Sequence, residues 1–219
     1  DSSSVAELLN ECLALEDAGK VGSALQKAAQ ALNLAASSGD SVCVGRVLVI
    51  EAWLRFRLGQ YPQAKQLVEK ALPLLQKKSL ESARAWVILG NCAGESEDLG
   101  DCEEYLRHAA DICREIGGYD ILIGTLHNLS SLIYMPRGQF KLSLATDQEA
   151  LRLTQEHHLT EMSWGPLVTM AWVYWLTSQR KLAFATLDLL EAVIQPGSLG
   201  EGYYYTIKAN LFVDTGRFD

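Results

Sequence analysis

Cys102, His108 and Cys113 are residue types that could hold a metal ion, and they fall close together. Their separations, 6 and 5, do not suit the task. Ligands on one helix need spacings of 3 or 4 to share a face. The three read instead as two buried thiols and a surface histidine. His157 and His158 are adjacent, so they point to different sides, and they suit a solvated helix C-terminus where a cation meets the dipole. The chain has no Walker phosphate loop, no Gly-x-Ser-x-Gly elbow and no His-Glu-x-x-His pair. The glycine-rich run from Gly197 to Gly202 lacks the Lys-Ser/Thr that a phosphate cradle needs. No catalytic group, metal or cofactor is therefore expected.

The remaining chemistry is that of recognition. Trp53 and Phe56 lie beside Arg46 and Arg57. Asn128 and Leu132 follow in a second stretch, Trp172 and Trp175 in a third, Tyr203 and Asn210 in a fourth. Trp, Tyr and Arg are the types enriched in binding hot spots. The run from Trp164 to Leu176 is apolar almost all round, which also describes a helix buried on both sides.

What must position these side chains is a turn that keeps returning. Gly19, Gly59, Gly100, Gly138, Ser178 and Gly216 anchor it, at steps of 40, 41, 38, 40 and 38. Such a period is the mark of a repeat array. Five residues past the anchors stand Ala24, Ala64, Tyr105, Ser143 and Ala183. Nine past stand Ala28, Val68, Ala109, Asp147 and Leu187, and twelve past Ala31, Ala71, Ile112, Ala150 and Leu190. Those offsets share one face of a 3.6-residue helix. Seven before the anchors lie Cys12, Ala52, Ala93, Ser131, Ala171 and Ala209, all small. Small residues on both helices let two antiparallel helices approach closely.

Each unit is thus helix A, the turn, helix B and a linker. Gly39-Asp40, Gly117-Gly118 and Gln195-Pro196-Gly197 end B helices, and Pro73 should kink the second B helix or end it early. The A-helix register is uncertain by one residue, since Leu129 to Gly138 is 9 and Met170 to Ser178 is 8. The expected fold is all-α, a right-handed α-solenoid of antiparallel helix pairs with about 11 helices. The expected domain is a single array over 1–219, with units near 1–40, 41–80, 81–119, 120–160 and 161–198 and a partial one at 199–219. The A helices would line the concave side and carry the aromatic set.

The chain has 219 residues, 48% hydrophobic and 21% charged, an ordinary globular composition. A net charge of -8 with only isolated basic pairs disfavours direct nucleic-acid binding. No apolar run is long enough to span a membrane. Five scattered cysteines suit reduced thiols in a cytoplasm better than a disulfide framework. The start without Met and the stop within a repeat read as a fragment of a larger protein.

Leu58-Gly59-Gln60-Tyr61 with Ala64 and Ala71, and Asn128 to Ser131 with Tyr134 and Gly138-Gln139-Phe140, resemble the tetratricopeptide repeat. The period here, about 39 residues, exceeds the roughly 34 of the standard repeat. Long units of this kind resemble the helical-repeat region of the maltose-regulon activator and related ATP-dependent bacterial regulators of the LuxR and antibiotic-regulator type. That resemblance implies a sensor or partner-docking region of a transcriptional regulator, taking a protein, a peptide or a small inducer. A chaperone-tail clamp is disfavoured, because Asn91, Asn128 and Asn210 sit at differing offsets (9, 10 and 6 before their anchors). The alternatives are the peptide-binding domain of a signalling receptor or a passive scaffold. In the scaffold reading, a homodimer would form through the uncapped last helix, where Ile207, Leu211 and Phe212 would be partly uncovered.

Overall fold

The chain reverses where one residue per turn takes the left-handed backbone region. That residue is Gly19, Gly59, Glu97, Gly138 or Ser178, with φ between 59° and 71°. Each of the five turns is closed by the same bond, from the next residue's N–H to a carbonyl five residues back. The pairs are Lys20 to Leu15, Gln60 to Arg55, Asp98 to Ala93, Gln139 to Tyr134 and Gln179 to Tyr174, at 2.8–3.0 Å. Gly216 also takes positive φ, 67°, while Arg217 and Phe218 of the sixth anchor lie outside the described residues.

The computed structural model describes residues 2–216. Among them are eleven α-helices, two short 3₁₀ segments and one π segment, with no strand. Packing divides the chain into two units, one up to Gly117 and one from Gly118 onward. Unit 1 holds α1 (Ser2–Asp17), α2 (Val21–Ser38), α3 (Ser41–Arg57), α4 (Tyr61–Ala71), α5 (Leu80–Glu95) and α6 (Leu99–Ile116). Unit 2 holds α7 (Tyr119–Asn128), the π segment (Leu129–Tyr134), α8 (Phe140–Glu156), α9 (Trp164–Leu176), α10 (Arg180–Glu191) and α11 (Leu199–Thr215). Odd-numbered helices are the A helices and even-numbered ones the B helices. The fold is that of tetratricopeptide-like helix pairs.

Two of the three stop signals act where the sequence puts them, while α10 ends at Glu191, ahead of Gln195-Pro196-Gly197. Gly39 and Gly117 cap α2 and α6 at φ 71° and 77°. Their followers do a different job, since Asp40 and Gly118 are N-caps of the next helices. Asp40 accepts a hydrogen bond from the Cys43 N–H at 3.1 Å. Pro73 ends α4 at Ala71 and leaves a 3₁₀ turn, Leu72–Leu74.

The third turn corrects the sequence reading. Gly100 lies in the first turn of α6, and the reversal is at Glu97. Asp98 causes the difference: its side chain caps the helix by accepting from the Asp101 N–H at 3.2 Å. Counted from Glu97, the small-residue positions of the third hairpin become Gly90, Cys102 and Ala109, with Leu106 between. Cys102, Leu106 and Ala109 are fully buried. Ala24, Ala64, Ser143 and Ala183, five residues past their own turns, are fully buried as well. A β-carbon at Gly90 would stand 2.7 Å from Leu106 Cγ, so glycine is what lets α5 meet α6 there.

The fourth A helix explains the one-residue uncertainty. Its π segment inserts one residue, with a bond from the Met135 N–H to the Ser130 carbonyl at 2.9 Å. Ser130, not Ser131, therefore takes the buried crossing place. Ser130 Oγ lies 3.1 Å from the Ser143 carbonyl oxygen, the place where Cys12 Sγ donates to that of Ala24 at 3.4 Å in the first hairpin.

Each unit has its own core. In unit 1 it mixes alanines with branched side chains, among them Ala52, Ala64, Val68, Ala71, Ala85 and Ile88. In unit 2 the core around α9, α10 and α11 contains Leu167, Ala171, Ala183, Leu187, Ile207 and Leu211. The last helix is better covered than its sequence suggests. Ile207 and Leu211 are fully buried against α9 and α10, and Phe212 packs on Phe184 at 5.8 Å. Among the described residues, no helix is long and apolar enough to cross a membrane.

Candidate functional site

On α3, Arg46, Trp53 and Arg57 fall 7 and 4 residues apart, so they share a face. The Arg57 guanidinium sits over the Trp53 ring at 5.7 Å and pairs with Glu16 of α1. Arg46 reaches the other way, with Nε 3.1 Å from the carboxylate of Glu81 on α5. The two arginines thus bridge α3 to both neighbouring A helices. Both guanidinium groups are more than a third exposed, so each pair contributes at most about 1 kcal/mol. Phe56 stacks on Trp53 at 5.6 Å and contacts Tyr61 at 5.5 Å, which places it against the hairpin core.

The thiols are structural in position. All five cysteines are buried, and all five fall in unit 1. Cys102 occupies a helix crossing, and exposed His108 lies edge-on to Trp86 at 4.6 Å. Among the described residues, no group of His, Cys, Asp and Glu is placed to hold a metal ion. His157 stacks on Tyr119 at 3.5 Å, and His158 takes φ 58° just past α8.

A cavity of about 350 Å³ opens among α4, α5 and α6, walled by Tyr61, Lys65, Cys92, Asp98 and Tyr105. The Tyr61 hydroxyl donates to Glu95 at 3.1 Å. Burial first, then the charge of Glu95, pushes the Cys92 thiol up to about 11. At pH 8 only about one thiol in a thousand is then ionised, and the thiolate is the reactive form. Iodoacetamide at pH 8 should leave Cys92 unmodified in the folded chain and alkylate it fully in denaturant. Peptide mapping by mass spectrometry checks this.

In unit 2 the A helices lie side by side. Trp164 packs over Gly200, and Trp175 Nε1 donates to Asp214 Oδ2 at 2.6 Å, which aligns α9 with α11. Trp172 meets Trp175 edge-on at 5.1 Å. Both indoles are half-buried, resting on the unit 2 core and open on the other side. Tyr203 is exposed and Asn210 half-buried on α11. Asn128 and Leu132 are half-buried on the fourth A helix. α9 carries no charged side chain.

Sequence reasoning missed a polar cluster inside the fourth hairpin. Asp147 on α8 is fully buried. Its Oδ2 accepts a hydrogen bond from Ser130 Oγ at 2.5 Å, and the Ser130 and Ser143 hydroxyls lie 2.7 Å apart. Among the described residues its Oδ1 has no hydrogen-bond partner. His127 Nδ1 stands 3.8 Å from Oδ1 and 3.4 Å from the Thr169 hydroxyl. Burial pushes the Asp147 carboxyl up, while His127 and Ser130 pull it down. The signal was present in the sequence: Asp147 stands where the other units carry Ala28, Val68, Leu106 and Leu187. This arrangement is not a nucleophilic triad. The serine donates to the carboxylate rather than to the imidazole, and Ser130 is sealed from solvent.

No family model and no curated protein matches the chain. Solved structures do. The chain is similar to a structure from the functional characterization of Pseudomonas aeruginosa PilF, with a TM-score of 0.71 and 13% identity over 99% of this chain and 86% of that one. It is similar to a signal-transduction ATPase with a tetratricopeptide-repeat sensor from Pyrococcus horikoshii, with a TM-score of 0.66 and 13% identity. That match covers 95% of this chain and 30% of the other. YrrB, a repeat protein with an unusual peptide-binding site, matches at a TM-score of 0.53 and 16% identity, over 92% and 90% of the two chains. At these identities the likeness establishes the fold alone.

Proposed function

We propose that the chain is a non-catalytic docking module whose A-helix side in unit 2 takes a peptide or protein segment. The observation that carries the reading is the Trp172–Trp175 pair, half-exposed on an uncharged helix that is tied to α11 through Asp214. Large, stiff indoles lose little entropy on binding and supply most of an interface's energy. Asp214, holding Trp175, lends the end of this platform a negative charge. An apolar or cationic partner side chain suits it best.

The likeness to an ATPase sensor and to YrrB supports a sensing or docking role. In our reading the module serves a cytoplasmic bacterial transcriptional regulator. The Arg46–Trp53–Arg57 stripe of unit 1 is a lesser contact face, since its cations are already shared with Glu81 and Glu16.

A displayed library of random 12-residue peptides, selected on this chain, provides the test. Enriched peptides should lose about 30-fold in affinity with Trp172→Ala, the size of an ordinary hot spot. Trp53→Ala should change it less than about threefold. No enrichment, or affinity indifferent to Trp172→Ala, overturns the docking face.

A further inference from the structure

Three costly features share one stretch of the fourth hairpin. A buried carboxylate leaves one oxygen without a hydrogen bond. A π turn, rare in any protein, interrupts the A helix directly after α7. His127 fills a niche that exists only because position 165 is glycine, where a β-carbon would stand 2.9 Å from the ring. Plain apolar packing at these places serves the neighbouring hairpins, so this hairpin is built for something else.

We propose that His127, Ser130 and Asp147 form a proton-operated latch that sets the position of the fourth A helix on the docking side. This deepens, and rests on, the docking reading above. With a neutral imidazole, Nδ1 can accept from the Thr169 hydroxyl and offers Asp147 nothing. When the ring takes one proton from solvent, Nδ1–H becomes a donor and Oδ1 is its charged acceptor. The present 3.8 Å must then close to about 2.8 Å. The ring moves toward α8, and the end of α7 moves with it. Asn128 is the next residue in the chain, and Ser130 and Leu132 lie in the π turn that follows. A helix segment that already departs from regular bonding yields more readily than one locked in it.

Among the described residues, His127 is the charged group that acts on Asp147. The titratable side chains on the elements packed against α8 are Tyr119, Asp120 and His127 of α7, Tyr134 of the π segment, Tyr174 of α9 and Glu161 of the 3₁₀ turn Thr160–Ser163. On α8 itself stand Lys141, Glu149, Arg152 and Glu156. Histidine is the side-chain type that ordinarily gains its proton between pH 5 and 8.

NMR of the whole chain between pH 8 and 5 tests the latch without any ligand. The amides of residues 128–134 should shift with the same midpoint as the His127 ring. In Asp147→Asn those amides should stop following the ring. Asp147→Leu, which places at this site the residue found at 106 and 187, should behave alike and guards against a folding failure. Amides that stay still while His127 titrates, or that follow it equally in both variants, overturn the latch. A peptide selected on the docking face should bind with an affinity that changes threefold or more between pH 7.5 and 5.5, and flat affinity overturns the regulatory role. Loss of the docking face itself would show in Trp172→Ala and leave the ring and amide shifts untouched.

Discussion

Gly90→Val should destabilise unit 1 by about 3 kcal/mol, while Ala93→Val should cost less than about 1 kcal/mol. The contrast follows from the geometry of the α5–α6 crossing. A β-carbon at 90 already meets Leu106 Cγ at 2.7 Å and Cδ2 at 2.8 Å. Leu106 is fully buried, so its side chain has nowhere to retreat without moving a helix. Ala93 is only half-buried and already carries the first carbon. Urea unfolding followed by circular dichroism gives both numbers. Equal costs at the two positions would return the crossing to Ala93 and undo the revised register of the third hairpin.

Asp147→Leu should stabilise unit 2 by about 2 kcal/mol at pH 7, raising its Tm by about 5 °C or more. Buried ionic groups often cost more in desolvation than their partners return. Ser130 keeps its bonds to Ser143 in this variant, so the substitution strands no donor. The pH dependence gives a second check. A carboxyl whose folded pKa is raised favours folding fully below its unfolded value near 3.9, and that contribution is lost as pH rises through the folded value. Unit 2 of the natural chain should therefore weaken as pH climbs from 4, and Asp147→Leu should flatten that slope. A destabilised variant would mean that the carboxylate is held by more than Ser130 and His127.

The architecture was legible because small residues and turn residues recur at near-constant spacing, and both are geometric demands of crossing helices. Two places misled the count, for definite reasons. At the third turn Gly100 fits the repeat spacing, but the Asp98 cap starts the helix sooner and Glu97 bears the positive φ. In the fourth A helix one inserted residue moves the crossing from Ser131 to Ser130, and offsets alone cannot say where a π turn absorbs it. The aromatic set was legible as residue types, yet its partners were not. Glu16, Glu81 and Asp214 come from other helices, and nothing in their local sequence marks them. The buried polar cluster was visible only as Asp147 breaking an apolar column.

Every thiol of the chain lies in unit 1, whereas Trp164, Trp172 and Trp175 lie in unit 2. The molecule therefore comes with separate native gauges for its two halves. The speed of cysteine labelling clocks the opening of the first, and indole emission, dominated by three of the five tryptophans, follows the second. Recorded together across a denaturant series, they tell whether the halves melt as one body or in sequence, with no foreign dye or engineered tag.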